Sequence, residues 1–191
     1  MLIQLQMNEP RFGSFCVLSD GVYLYAYGHR GTSSPDHQKD IVLARVPLRD
    51  ARDRESYDYW NGNAFTSDID TLATVLTDMQ HGQIFKTTMF DRQSTCQYAF
   101  IGNNAQGDSA VQMGRASSPQ GPWELFELKD LKLYALNSGE DKRMLDFRYC
   151  VYPHPWAGDL TGRGDLMISW SEGGMTGGVL AAMVRLATNE V

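Results

Sequence analysis

The sequence predicts an all-β chain, a partial β-propeller of about three blades, and three observations predict it. A strand-turn-strand layout occurs three times at a spacing of roughly 65 to 70 residues, longer than but akin to the kelch and WD periods. The strands are apolar at nearly every position rather than at alternate ones, the pattern of a sheet covered on both faces. Glycine, proline, asparagine and aspartate punctuate the joints between them, as tight turns require.

The first copy opens on FGSFCVL from Phe12, continues with GVYLYAYG from Gly21 and then DIVLARVP from Asp40. Ser19-Asp20-Gly21 joins the first two strands, with Gly21 free to take positive φ. The segment YDYW, Tyr57 to Trp60, supplies an outer strand closed by Asn61-Gly62. Between Thr66 and Gln80, Leu72, Val75, Leu76 and Met79 have helical spacing while the β-branched content favours a strand, so both assignments stay open.

The second copy runs QIFKTTMF from Gln83, CQYAFIGNN from Cys96 and AVQMGRASSP from Ala110. Its turn, Ser118-Pro119-Gln120-Gly121-Pro122, feeds Trp123 into a short outer strand. Lys129 to Arg143, with its LNSGEDKR stretch, reads as an exposed loop. The third copy is YCVYPHPW from Tyr149, DLMISWSEGG from Asp165 and GGVLAAMVRLA from Gly177. With no low-complexity linker between them, residues 1–191 read as one partial propeller domain with blades near 9–65, 80–128 and 145–188. A closed propeller typically takes four to eight blades. Three imply a part of a larger propeller, or one that completes itself by association through exposed blade faces.

Bulk properties narrow the partners. A net charge of −6 lacks the basic footprint that nucleic acid demands. No stretch is long or apolar enough to span a bilayer. The leading MLIQLQMNEPRFG has no basic n-region and no sustained apolar run, so it is no secretory signal, and the cellular location stays open. A secreted segment upstream would make the protein extracellular. Cys16, Cys96 and Cys150 each sit in an apolar strand, as buried thiols do. With no CxxC pair, and with His29, His37, His81 and His154 scattered, the sequence offers no zinc site and no cofactor is expected. There is no GxSxG elbow, P-loop or dinucleotide fingerprint, and Asp159 to Asp165 lacks the ligand spacing of an EF-hand.

RFGSFCV, the VYLYAYG and VLARVP pair, YDYWNG, the RASSPQGPW turn, and YCVYPHPW followed by LMISWSEGG together resemble the domain-of-unknown-function propeller family numbered 4185. That family is related to the five-bladed glycosidases and includes endo-D-arabinanases. The resemblance covers about Glu9 to Ala187 and corresponds to the last three blades of the family domain. It implies a five-bladed-type propeller and a glycan-processing parent protein, with a poly- or oligosaccharide as partner. The family's catalytic carboxylates lie upstream of anything matched here, so no residue inherits a catalytic role. The chain would contribute cleft walls and be inactive alone. The competing reading is a non-catalytic carbohydrate-binding or protein-interaction propeller.

The first strand of each blade would line the axial cleft, which selects Arg11, Lys86, Tyr149 and His154 as substrate-binding candidates. Arginine and lysine donate to sugar hydroxyls, and tyrosine stacks. His154, which matches the family's His-Pro, lies between Pro153 and Pro155, which hold its backbone extended and fix the ring direction. Two roles are open to it: a polar contact for substrate or water, or a structural histidine under Trp156. Glycoside hydrolysis needs two carboxylates across the scissile bond. Glu9, Asp91, Asp146 and Glu172 are the acidic residues nearest the inner strands, each with a plainer role available as turn, rim or salt bridge. Glu9, two residues before Arg11, points to the same side of an extended segment and could pair with it.

Overall fold

In the computed structural model the described residues are 9–31, 39–90, 94–104, 110–132, 148–160, 164–172 and 178–185. The chain is all-β, a partial propeller of blade-like antiparallel meanders, as the strand layout predicts. Its contacts cluster into two compact units, residues 1–79 with 119–123, and residues 80–118 with 124–191. Among the described residues the helical segments are single 3-10 turns, so no helix is long and apolar enough to cross a membrane.

The first unit holds one sheet in the order β1-β2-β3-β4-β5, where β1 is Arg11–Ser19, β2 Tyr23–His29, β3 Ile41–Pro47, β4 Asp58–Trp60 and β5 Phe65–Thr66. A further strand, β6 (Thr74–Leu76), pairs with the part of β3 that β4 leaves uncovered. The segment after Thr66 is therefore extended with one 3-10 turn at Ile69–Thr71, and its apolar spacing is not a helix. The β1–β2 joint forms as expected, with Gly21 at φ +91°. Asp20 Oδ1 accepts from the N–H groups of Val22 at 2.8 Å and Tyr23 at 2.7 Å, and Tyr25 Oη donates to Asp20 Oδ2 at 3.0 Å. Burial alone would push the Asp20 carboxyl up, but these donors outweigh it and hold the group below its ordinary value.

β2 and β3 show why their sequences do not alternate. Ile41, Val42, Leu43, Ala44 and Val46 are all fully buried, with both faces of the strand covered. Each of the isoleucine, valine and leucine side chains contributes about 1.5–3 kcal/mol by leaving water. Tyr27, equally buried, keeps its polar end satisfied by donating Oη to the Pro119 carbonyl at 2.7 Å, which secures the segment 119–123 within this unit.

The second unit holds two sheets. One runs β10-β9-β8-β7, with β7 Met79–Lys86, β8 Tyr98–Asn104, β9 Ala110–Ala116 and β10 Glu124–Lys132. The other runs β11-β12-β13, with β11 Arg148–His154, β12 Asp165–Glu172 and β13 Val179–Arg185. Ala99, Ile101, Val111 and Met113 of the first sheet share one core with Val151, Leu166, Ile168 and Trp170 of the second. The expected inner strand from Gln83 stops at Lys86, and β10 starts one residue after Trp123 and runs through Lys132, the first four residues of the expected loop. The rest of that loop lies outside the described residues.

The opposite face of the third sheet is open. Along β13 the exposed residues alternate with half-buried ones, leaving Val179 75% and Met183 56% exposed beside Ala181. These pair with Ser171, Met167 and Ser169 of β12. Val179, Ala181 and Met183 are thus exposed on the face that also carries Ser169 and His154.

Candidate functional site

Of the four sequence-predicted binding residues, Arg11 opens β1 in the first unit, exposed and paired in register with His29. The other three belong to the second unit. Lys86 ends β7 and is exposed. Tyr149 and His154 share β11, where Tyr149 pairs with Ser171 and His154 with Met167. Glu9, the predicted neighbour of Arg11, instead places its carboxylate on the Arg54 guanidinium. Asp91 and Asp146 lie outside the described residues, and Glu172 is the last residue of β12, paired with Arg148.

His154 is the centre of the best-defined polar group in the second unit. Its Nε2 lies 2.7 Å from Ser169 Oγ, on the neighbouring strand. The chain then turns through a 3-10 segment, Pro155–Ala157, with proline at the position where a missing N–H costs nothing. That turn stands the Trp156 indole edge-on to the imidazole, ring centroids 5.0 Å apart. Trp156 is 72% exposed, so the indole offers solvent most of its surface. A large exposed aromatic beside a half-buried polar group is the kind of feature that marks a binding surface rather than a core.

The neighbouring inner strand contributes His81, one of four histidines that are scattered in the sequence. Its Nδ1 accepts the backbone N–H of Cys150 at 3.1 Å, and its ring lies 6.4 Å from that of Tyr152. His81 is held close to β8 because β7 and β8 approach at glycines: a side chain at Gly102 would collide with the His81 carbonyl. Cys150 itself has φ +54°, and the register of β11 against β12 shifts between Tyr149 and Tyr152. The signal for this bulge is in the sequence, since YCVY sets two tyrosines three apart where a strand repeats every two. Partial burial pushes the Cys150 thiol up.

Two carboxylates of the second unit are paired with arginines. Arg115 Nε donates to Glu124 Oε2 at 2.8 Å, and Arg185 Nε to Asp165 Oδ1 at 2.8 Å. Among the described residues no three His, Cys, Asp or Glu side chains come together as a metal site would need. What the His154 group can do chemically is donate or accept one hydrogen bond at a fixed point beside an aromatic surface.

The fold is similar to that of a solved structure described as a "putative hydrolase" from Bacteroides ovatus, with a TM-score of 0.52 at 20% sequence identity. The likeness covers 80% of this chain and 36% of that one, so the present chain spans about a third of the length of that protein. No curated protein matches in sequence. The domain of unknown function DUF4185 matches residues 3–172, nearly the whole sequence, and the chain belongs to that family.

Proposed function

We propose that the chain is the glycan-binding part of a hydrolase-like propeller, in which a sugar ring stacks on Trp156 and one of its hydroxyls meets the His154–Ser169 pair. The observation that carries the reading is the 72% exposed indole set edge-on to an imidazole whose Nε2 is already oriented by Ser169. Sugars present apolar C–H faces and hydroxyl edges, which call for an aromatic surface and fixed polar contacts side by side. The family membership and the hydrolase-like neighbour support the parent activity. In this reading Lys86, exposed at the end of β7, is the further candidate contact within the same unit. The chain in this reading supplies the binding surface and the parent protein the carboxylate pair that hydrolysis needs.

The test is a panel of arabinan, arabinogalactan and related glycans, assayed for reducing-end release and titrated against wild type and His154→Ala. Weak binding without turnover, reduced in the variant, is the expected result. Hydrolysis by this chain alone would place the catalytic pair within it. Unchanged binding by His154→Ala would remove that residue from the site.

The open face of β12 and β13 favours a second property, self-association. Val179, Ala181 and Met183 form a contiguous apolar strip, and monomers that expose such strips usually bury them against another molecule. A second copy of the same sheet is the occupant we propose for the isolated chain, and because Ser169, the register partner of Ala181, also holds His154, that contact and glycan binding compete for one face.

A further inference from the structure

The half of β11 that carries His154 faces the way it does because of one extra residue. Tyr149 pairs with Ser171 and Tyr152 with Ser169, so three steps along β11 match two along β12. This is a bulge, and it inverts the pleat from that point on. With the extra residue, Val151 and Pro153 are buried on the core side, while Tyr152 and His154 lie half-buried on the opposite face with Ser169. Without it, Tyr152 and His154 would turn toward the core and the His154–Ser169 contact would be lost.

A bulge leaves a backbone N–H without a ladder partner, and a non-glycine residue at positive φ adds strain. Both problems fall on Cys150, at φ +54°, and its N–H is taken by His81 Nδ1 at 3.1 Å. An imidazole nitrogen that accepts a backbone N–H carries no proton, so neutral His81 holds its proton on Nε2. We propose that His81 is a positioning residue: its unprotonated Nδ1 holds the β11 bulge that turns His154 toward Ser169. The proposal rests on the reading of His154 as a glycan contact for its functional meaning, but not for its geometry.

The consequence is a dependence on acid. Protonating His81 converts Nδ1 into a donor aimed at another donor, and the bulge loses its acceptor. Cys150 and Tyr152 face His81 from β11, Tyr98 lies on β8 and Lys86 at the end of its own strand. Of the side chains beside the bulge, the His81 imidazole is the one whose ordinary range falls in mildly acidic solution.

The experiment uses the full chain labelled with nitrogen-15. A long-range proton–nitrogen spectrum should show His81 as the Nε2–H tautomer, and the Cys150 amide should move with the protonation of His81 as pH falls. His81→Asn keeps an acceptor near Nδ1 that cannot titrate, and should abolish that movement while leaving the amides of Cys150 to His154 near their wild-type positions. His81→Leu should displace them. In titrations with an arabinan oligosaccharide, His81→Leu should weaken binding roughly tenfold, the loss expected for one buried hydrogen bond, and His81→Asn should restore it. An Nδ1–H tautomer, or a Cys150 amide that stays still while His81 titrates, would overturn the proposal even if His81→Leu fails to fold. If the amides behave as stated but no glycan binds wild type, the positioning role stands and the glycan reading fails.

Discussion

His154 and Ser169 meet across β11 and β12 with Nε2 and Oγ 2.7 Å apart, although the two residues are not register partners: Ser169 pairs with Tyr152 and His154 with Met167. The contact is diagonal on one face of the sheet, within the reach that next-but-one cross-strand neighbours have. It fixes the imidazole from one side while Trp156 meets it edge-on, so the ring is oriented before any ligand arrives.

Tyr27→Phe tests how the first unit holds its 119–123 segment. The variant removes a fully buried hydroxyl and leaves the Pro119 carbonyl without its 2.7 Å donor. Urea unfolding should show a loss of about 1–2 kcal/mol with unchanged slope. No loss would mean that the bond is not formed in solution.

Asp20 makes the β1–β2 turn sensitive to acid. Its folded pKa is depressed, so its stabilising contribution is present above the unfolded value of 3.8 and is lost as pH falls through the lower folded value. Asp20→Ala should cost about 1 kcal/mol at neutral pH, the scale of a solvent-exposed capping bond. Wild type and variant should converge in stability toward the acid end of that window. Parallel pH–stability curves would show that the turn does not depend on the carboxylate.

Met183→Lys probes the open sheet face. Placed at a position 56% exposed, the lysine should leave folding within about 0.5 kcal/mol of wild type and shift any dimer toward monomer in sedimentation. An unchanged association state would place the contact elsewhere.

The sequence carried the meanders more fully than the site. Repetition, uninterrupted apolar runs such as IVLARV and turn residues such as Gly21 locate every main strand to within a few residues, because each is a local property of the chain. Thr87 to Phe90 has strand composition, yet the strand ends at Lys86, with one more backbone bond from the Thr87 N–H to the Gln97 carbonyl at 2.8 Å. The apolar spacing between Leu72 and Met79 left helix and strand both open, and pairing of Thr74 and Leu76 with β3 decides for the strand. Within the site, His154 was legible from its two flanking prolines. His81 was not, because its importance comes from a bulge 69 residues away.

Trp156 is the proposed aromatic half of the glycan site. The most direct measurement is calorimetric titration of an arabinan oligosaccharide into the wild-type chain, Trp156→Ala and Trp156→Phe, with thermal unfolding of each recorded alongside. Wild type should bind measurably, the alanine variant should lose about tenfold or more, phenylalanine should recover part of that, and unfolding should not change, because a side chain 72% exposed adds little to stability. Equal affinity of wild type and Trp156→Ala would contradict the glycan site.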